Sequence, residues 1–233
     1  MDSDLVRRIE RLEAVNAIQN IIARYTALHA ASRQEETCEL FCKKTPGTYW
    51  MVGNAVYNGH QGVRDHFVHH MGDNEKDLTG RLYLHEMVTP LIEVAGDCQT
   101  AKCLINTMGC ETGPGETEGN VSLWAFSRYR WNFAKEDGEW KIWNMRLYIT
   151  FLTPFAGGGW TETPYYPIHE VAVKRGLAKP GTNYVTYFAP GEEMKPFSIT
   201  SPDCDIHNLI PEPPKPYWTW DEPIGPPGGP AII

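Results

Sequence analysis

Residues 81–152 read RLYLHEMVTPLIEVAGDCQTAKCLINTMGCETGPGETEGNVSLWAFSRYRWNFAKEDGEWKIWNMRLYITFL. This stretch divides into four runs rich in β-branched and aromatic residues, 81–94, 99–112, 120–135 and 139–152. Between them stand Gly96-Asp97, Gly113-Pro-Gly115 and Glu136-Asp-Gly138, all turn chemistry. Runs of this composition bounded by such turns predict strands. Four long antiparallel strands with short connections make a strongly curved sheet, and its concave face needs a cover.

The cover is predicted upstream, as a helix from Asp4 to Ala31. Leu5, Ile9, Leu12, Val15, Ile18, Ile21, Ile22, Tyr25 and Leu28 recur at steps of three and four, which is one apolar helix face. Arg7, Arg8, Glu10, Arg11 and Glu13 suit a solvated opposite face. A second helix is expected from Gln34 to Cys42, ended by Pro46 and Gly47. Thr48–Val52 and Ala55–Tyr57 read as short strands around a Gly53-Asn54 turn, and Gly62–Met71 as a further helix. The expected fold class is α+β: a cone-shaped α+β barrel made of a curved antiparallel sheet and a long N-terminal helix.

From Pro154 the composition changes. Fifteen of the eighteen prolines fall in the last 80 residues, so a second compact domain is not expected there. A short helix at Ile168–Arg175 is followed by extended segments, with polyproline character at Pro211-Glu-Pro-Pro-Lys-Pro216. Tyr165, Tyr166, Tyr184, Tyr187, Phe188, Phe197, Trp218 and Trp220 also lie in this tail, and disordered linkers are poor in aromatics. The division is therefore a catalytic domain over 1–153 and a C-terminal arm over 154–233. The arm is read as ordered, packing on the core or on a neighbouring subunit.

Bulk composition removes several function classes. At 42% hydrophobic and 12% aromatic, the 233 residues hold enough apolar surface for a core. A net charge of −8, with no basic cluster, argues against nucleic-acid binding. No run approaches the roughly 20 apolar residues that span a bilayer, and the charged N-terminus has no signal-peptide core. A cytoplasmic location is expected, with Cys38, Cys42, Cys98, Cys103, Cys110 and Cys204 as free thiols.

The candidate site comes from strand and helix periodicity. Period two places Trp140, Ile142, Asn144, Arg146 and Tyr148 on one face. Trp140 and Ile142 must face the core, so Arg146 is expected to point inward, either as an ion pair or as an oxyanion or substrate-hydroxyl ligand. His85 sits in an apolar strand, where an imidazole is a core hydrogen-bond partner or a proton carrier. Tyr25 and His29 share the apolar helix face and look into the cone. Tyr49 and Trp131 could line its wall. His66 and His70, one turn apart, make half of a metal site with no matching carboxylate motif, so no metal and no cofactor are expected. Gly157-Gly-Gly159 lacks the helix and lysine of a phosphate loop, and no G-x-S-x-G elbow is present.

Several motifs carry a resemblance in their order and spacing: Arg24-Tyr25 ahead of Leu40-Phe41, Leu84-His85, Asp97–Ala101 and Asp137-Gly-Glu-Trp140-Lys-Ile142. Over roughly residues 5–153 the chain resembles the SnoaL-like group of the nuclear transport factor 2-like superfamily, with scytalone dehydratase and bile acid 7α-dehydratase as relatives. The resemblance implies a cofactor-independent lyase for a hydroxylated aromatic or polycyclic molecule. It would act by dehydration, or by formaldehyde-releasing C–C cleavage as in relatives that act on lignin-derived diarylpropanes. It also implies catalytic roles for His85, Tyr25, His29 and Arg146, and substrate contacts at Ser127 and Tyr129. With Trp131, Tyr49, Asn144 and Tyr148 these complete the expected site. A homotrimer is implied as well. Two positions depart from the family: Ala30 replaces the usual aspartate, and no second histidine or aspartate stands between Asn106 and Cys110. The alternatives are a non-catalytic binding or assembly protein, and a ketosteroid-isomerase-like enzyme. The latter needs an inward carboxylate, which the reading does not supply.

Overall fold

The computed structural model describes residues 3–52, 55–70, 78–163, 165–176, 185–187 and 211–226. The expected Gly53-Asn54 turn, Met71, Tyr184, Phe188, Phe197, Cys204 and the side chains of His70 and Tyr187 lie outside the described residues.

Helix α1 (Ser3–Ala30) buries Ala14, Ile18, Ile22, Tyr25 and His29 in one stripe, at steps of three and four. Leu5, Ile9 and Leu12, expected in the buried face, are 47%, 45% and 71% exposed. Helix α2 (Gln34–Cys38) stops short of the expected Cys42. Phe41 pairs with Ile142 as a parallel bridge, and the Cys42 N–H donates to Ile142 O at 2.8 Å, which draws the chain out of the helix and onto the sheet.

The strands are β1 (Tyr49–Val52), β2 (Ala55–Asn58), β3 (Tyr83–Val94), β4 (Thr100–Pro114), β5 (Asn120–Glu136), β6 (Glu139–Pro154) and β7 (Val185–Tyr187). They form one sheet in the order β3-β4-β5-β6-β1-β2-β7. All neighbours are antiparallel except β1 and β6, which run parallel. Helix α3 (Gly59–Arg64) starts earlier than expected and continues as a single π-helical turn over Asp65–His70. That turn is not a solvated surface: His66, Phe67 and Val68 are buried, and the His66 ring lies 5.4 Å from Trp50 and 4.7 Å from Tyr57.

The main core fills the concave face. Ile18, Ile22 and Tyr25 of α1 pack there with Cys103 and Ile105 of β4, Tyr129, Trp131 and Phe133 of β5, and Ile142 and Met145 of β6. β6 changes phase within this core. Phe133 pairs with Ile142, but Asn132 pairs with Asn144, so Trp143 is an extra residue in the ladder. Its indole N–H donates to Pro46 O at 2.7 Å, and its ring packs 4.7 Å from Trp220. Beyond this bulge the odd-numbered residues Met145 and Leu147 face the core.

Two C-terminal segments complete the domain. Tyr165 bridges to Leu152, and α4 (Ile168–Lys174) follows. Tyr166 and Val171 pack on Leu123, Ala125 and Leu152, and the Tyr166 hydroxyl donates to Pro114 O at 2.8 Å. This segment roofs one end of the concave face. Residues 211–226 instead cross the opposite, outer face. Gly96 and Asp97 N–H groups donate to the Tyr217 and Trp218 carbonyls, each at 3.0 Å. Lys102 Nζ lies 2.5 Å from Asp221 Oδ1 and 2.9 Å from Glu222 Oε1, and sits over the Tyr217 and Trp220 rings. Arg130 pairs with Glu222.

Candidate active site

β4 and β5 set the site by strict alternation. Cys103 and Ile105 belong to the concave core, so Thr107, Gly109 and Glu111 continue that face. Opposite them, β3 brings Tyr83 into register with Glu111 and His85 with Gly109. β5 brings Ser127, Tyr129 and Trp131 to the same face. α1 closes over them with Tyr25 and His29.

His85 Nε2 lies 3.0 Å from Glu111 Oε2. The two side chains keep 15% and 10% of their exposure, which is partial access in a mostly desolvated place. Gly109 makes the pairing possible. A Cβ at this position would run into Leu84 O and come within 2.9 Å of His85 Cδ2, so only glycine lets the ring lie across β4 toward Glu111. Glu111 corrects one expectation: an inward carboxylate exists, one residue beyond the stretch from Asn106 to Cys110.

The His29 ring is 5.3 Å from that of His85 and stacks on Tyr25 at 5.4 Å. Its Nδ1 lies 3.3 Å from the Gln34 side-chain amide. Burial, reinforced by His85, pushes the His29 pKa down to about 3, so this imidazole is neutral near neutral pH. A lowered histidine pKa means that the unfolded chain binds a proton which the folded chain refuses. Stability is therefore unaffected above the ordinary histidine range and falls as pH drops through about 6.5 toward about 3. Relative to a His29→Gln variant, the wild type is expected to lose about 2 kcal/mol of unfolding free energy by about pH 5. Urea melts of both proteins across this range measure it, and parallel pH profiles would remove the assignment.

The Tyr25 and Tyr129 hydroxyls act on one another, and burial raises the pKa of both. Glu111 raises Tyr129 further, and with Glu170 it also adds to the effect of burial on Tyr165 in the roof. The carboxylate thus acts electrostatically on Tyr129 and Tyr165. Among the described residues, His85 Nδ1, Thr107 Oγ1, Trp50 Nε1 and Trp131 Nε1 are buried polar atoms of this face without a hydrogen-bond partner. Unsatisfied buried donors and acceptors are costly, and in a concave site they mark positions for the polar atoms of a ligand.

Ser127, Tyr129 and Trp131 thus stand with Tyr25, His29 and His85 on the concave face. Arg146, Asn144, Tyr148 and Tyr49 do not. The Trp143 bulge inverts the period-two reading, and Arg146 pairs across the ladder with Arg130 on the outer face. Its guanidinium lies 4.6 Å from the centre of the Tyr148 ring, and it acts electrostatically on Tyr49, whose pKa burial pushes up to about 12. Asn144 accepts a hydrogen bond from Asn132 Nδ2 at 2.7 Å on that side. Arg146 is therefore no oxyanion ligand inside the cone. No group of three His, Cys, Asp or Glu among the described residues is placed to hold a metal ion.

A curved sheet closed by one long helix is the fold of the nuclear transport factor 2-like class. Within it, the sequence profile of the SnoaL-like domain matches residues 10–146, more than half of the chain. The chain belongs to the SnoaL-like domain family. No curated protein sequence shows significant similarity. Among solved structures, it is similar to a type 2 hexachlorocyclohexane dehydrochlorinase (18% identity, TM-score 0.52, 64% of this chain and 94% of that one). It is also similar to a scytalone dehydratase-like protein from Novosphingobium aromaticivorans DSM 12444 (16% identity, TM-score 0.51, 65% and 94%). A third is a type 3 dehydrochlorinase from Novosphingobium barchaimii LL02 (19%, TM-score 0.50, 64% and 95%). At these identities the likeness is one of fold. No helix among the described residues is long and apolar enough to cross a membrane.

Proposed function

We propose that the protein is a cofactor-independent lyase that eliminates water, or formaldehyde and water, from a hydroxylated aromatic or polycyclic small molecule. The observation that carries this is the 3.0 Å contact between His85 Nε2 and Glu111 Oε2 beneath an aromatic roof. With Nε2–H donated to Glu111, the lone pair stands on Nδ1, the proton acceptor. His85 takes the proton from the carbon beside the departing hydroxyl, the C–H pair becomes the new C=C bond, and the C–O bond breaks. The imidazolium, held by Glu111, returns its proton to that hydroxyl, which leaves as water. For C–C cleavage, the same base takes the hydroxymethyl O–H proton. Formaldehyde departs, and its bonding pair forms the double bond as the neighbouring hydroxyl leaves. Tyr25, Tyr129 and neutral His29 hold substrate oxygens rather than supply acid, because burial makes the phenols poor proton donors.

The names dehydrochlorinase and dehydratase both denote eliminations, which supports the same reaction type here. A ketosteroid-isomerase-like reaction is the second reading, favoured by Glu111 beside the Tyr129 hydroxyl. We further read the protein as a cytoplasmic homotrimer of aromatic compound catabolism. The free thiols of Cys38, Cys42, Cys98, Cys103 and Cys110 support a reducing compartment.

The test is turnover of the full chain on a panel of hydroxylated aromatics and diarylpropanes, followed by mass spectrometry and a formaldehyde assay. The expected result is loss of water, with or without formaldehyde, at a rate unchanged by chelators. Double-bond migration without mass change would favour the isomerase, and turnover abolished by chelation would sink the cofactor-free reading.

A further inference from the structure

We infer that the cone selects uncharged aromatic ligands and excludes carboxylated ones, because the fixed charge around its reactive pair is negative. This rests on the cone being the substrate site and adds the chemical class that it takes. Glu111 stands inside, and Glu170 on α4 acts electrostatically, as Glu111 does, on Tyr165 of the roof. The groups that act on the hydroxyls of Tyr25, Tyr129 and Tyr165 and on the His29 ring are phenols, a thiol, an amide, His85 and these two carboxylates. No lysine or arginine is among them.

Three cations of the strands that carry the core are turned away. Lys102 is held by Asp221 and Glu222 of the outer-face segment, Arg130 by Glu222, and Arg146 lies beside Tyr148 on that same outer face. A carboxylated ligand would therefore bring a second negative charge next to Glu111, where Lys102, Arg130 and Arg146 are not placed to receive it, in surroundings of low polarity. The partnerless Trp50 and Trp131 indole N–H groups and the Thr107 hydroxyl suit neutral oxygens instead, against flat aromatic walls.

The experiment is calorimetric titration of the full-length protein at neutral pH with 2-naphthol and 2-naphthoate, one ring system without and with a charge. The naphthol is expected to bind more tightly than the naphthoate by about tenfold or more. Glu111→Gln, nearly isosteric, is expected to narrow the gap by strengthening naphthoate binding. Glu170→Gln, an exposed and structurally mild change, is expected to narrow it less. Equal affinities for the two probes in the wild type overturn the charge selection while leaving the cone as a site. A gap that both variants leave unchanged overturns it in the same way. If neither probe binds, the cone is not a site for aromatic molecules, and the proposed function falls with the selection.

Discussion

Replacement of His85 by alanine is expected to lower turnover by on the order of 100-fold or more, because the variant lacks the imidazole proposed to carry the proton. His29 cannot take over, since its burial, the largest cause of its lowered pKa, remains when the His85 ring is gone. The phenols of Tyr25 and Tyr129 are raised away from the useful range. Alanine also leaves the Glu111 carboxylate without its 3.0 Å partner, so a loss of about 1–2 kcal/mol in stability accompanies it. His85→Gln separates the two effects. An amide can still donate to Glu111 but cannot carry the proton, so this variant is expected to melt like the wild type and turn over like alanine. Turnover within a few-fold of wild type in either variant sinks the assignment.

Cutting the chain after Phe155 is expected to give the largest loss of stability. The cut removes Tyr166 and Val171 from Leu123, Ala125 and Leu152, and Trp220 from Cys42, Ala134 and Trp143. It also leaves Lys102, whose side chain is 9% exposed, without both of its carboxylates. Burial of each large apolar side chain is worth about 1.5–3 kcal/mol. The summed loss, on the order of 5 kcal/mol, is comparable to the whole stability of an ordinary domain. The shortened protein should melt far below the full chain or precipitate. A second cut after Gly176 keeps the roof and removes the outer segment, and should cost less. If the shorter protein elutes and melts as the full chain does, the C-terminal residues are dispensable.

The sheet and its helix were legible because their signals are long. Four runs of a dozen or more residues between glycine-bearing turns leave little choice of pairing, and the step from Ile18 to Ile22 to Tyr25 points one way. The Arg146 reading failed at a single residue. Period two carries from Ile142 to Arg146 only if no residue is inserted, and Trp143 is inserted. What holds its indole is Pro46 O and Trp220, distant in sequence and invisible to any local pattern. Glu111 was within reach. The same alternation that puts Cys103 and Ile105 in the core leads through Thr107 and Gly109 to it. Leu5, Ile9 and Leu12 show the opposite case, a continuous apolar stripe that outruns the surface beneath it.

The parallel pairing of β1 with β6 sets an order of assembly. Met51 meets Arg146, a partner about 95 residues downstream. During synthesis at about 5–20 residues per second, β1 and β2 leave the ribosome roughly 5–20 s before that partner exists. The meander from β3 to β6 needs only local hairpins, and contacts between near neighbours form first. The nascent chain thus carries a waiting edge of Trp50 and Met51, together with the uncovered stripe of α1, until translation passes β6. Holding chaperones and slow codons around residues 139–154 would act on that interval, and on the yield of folded protein, without touching the native state.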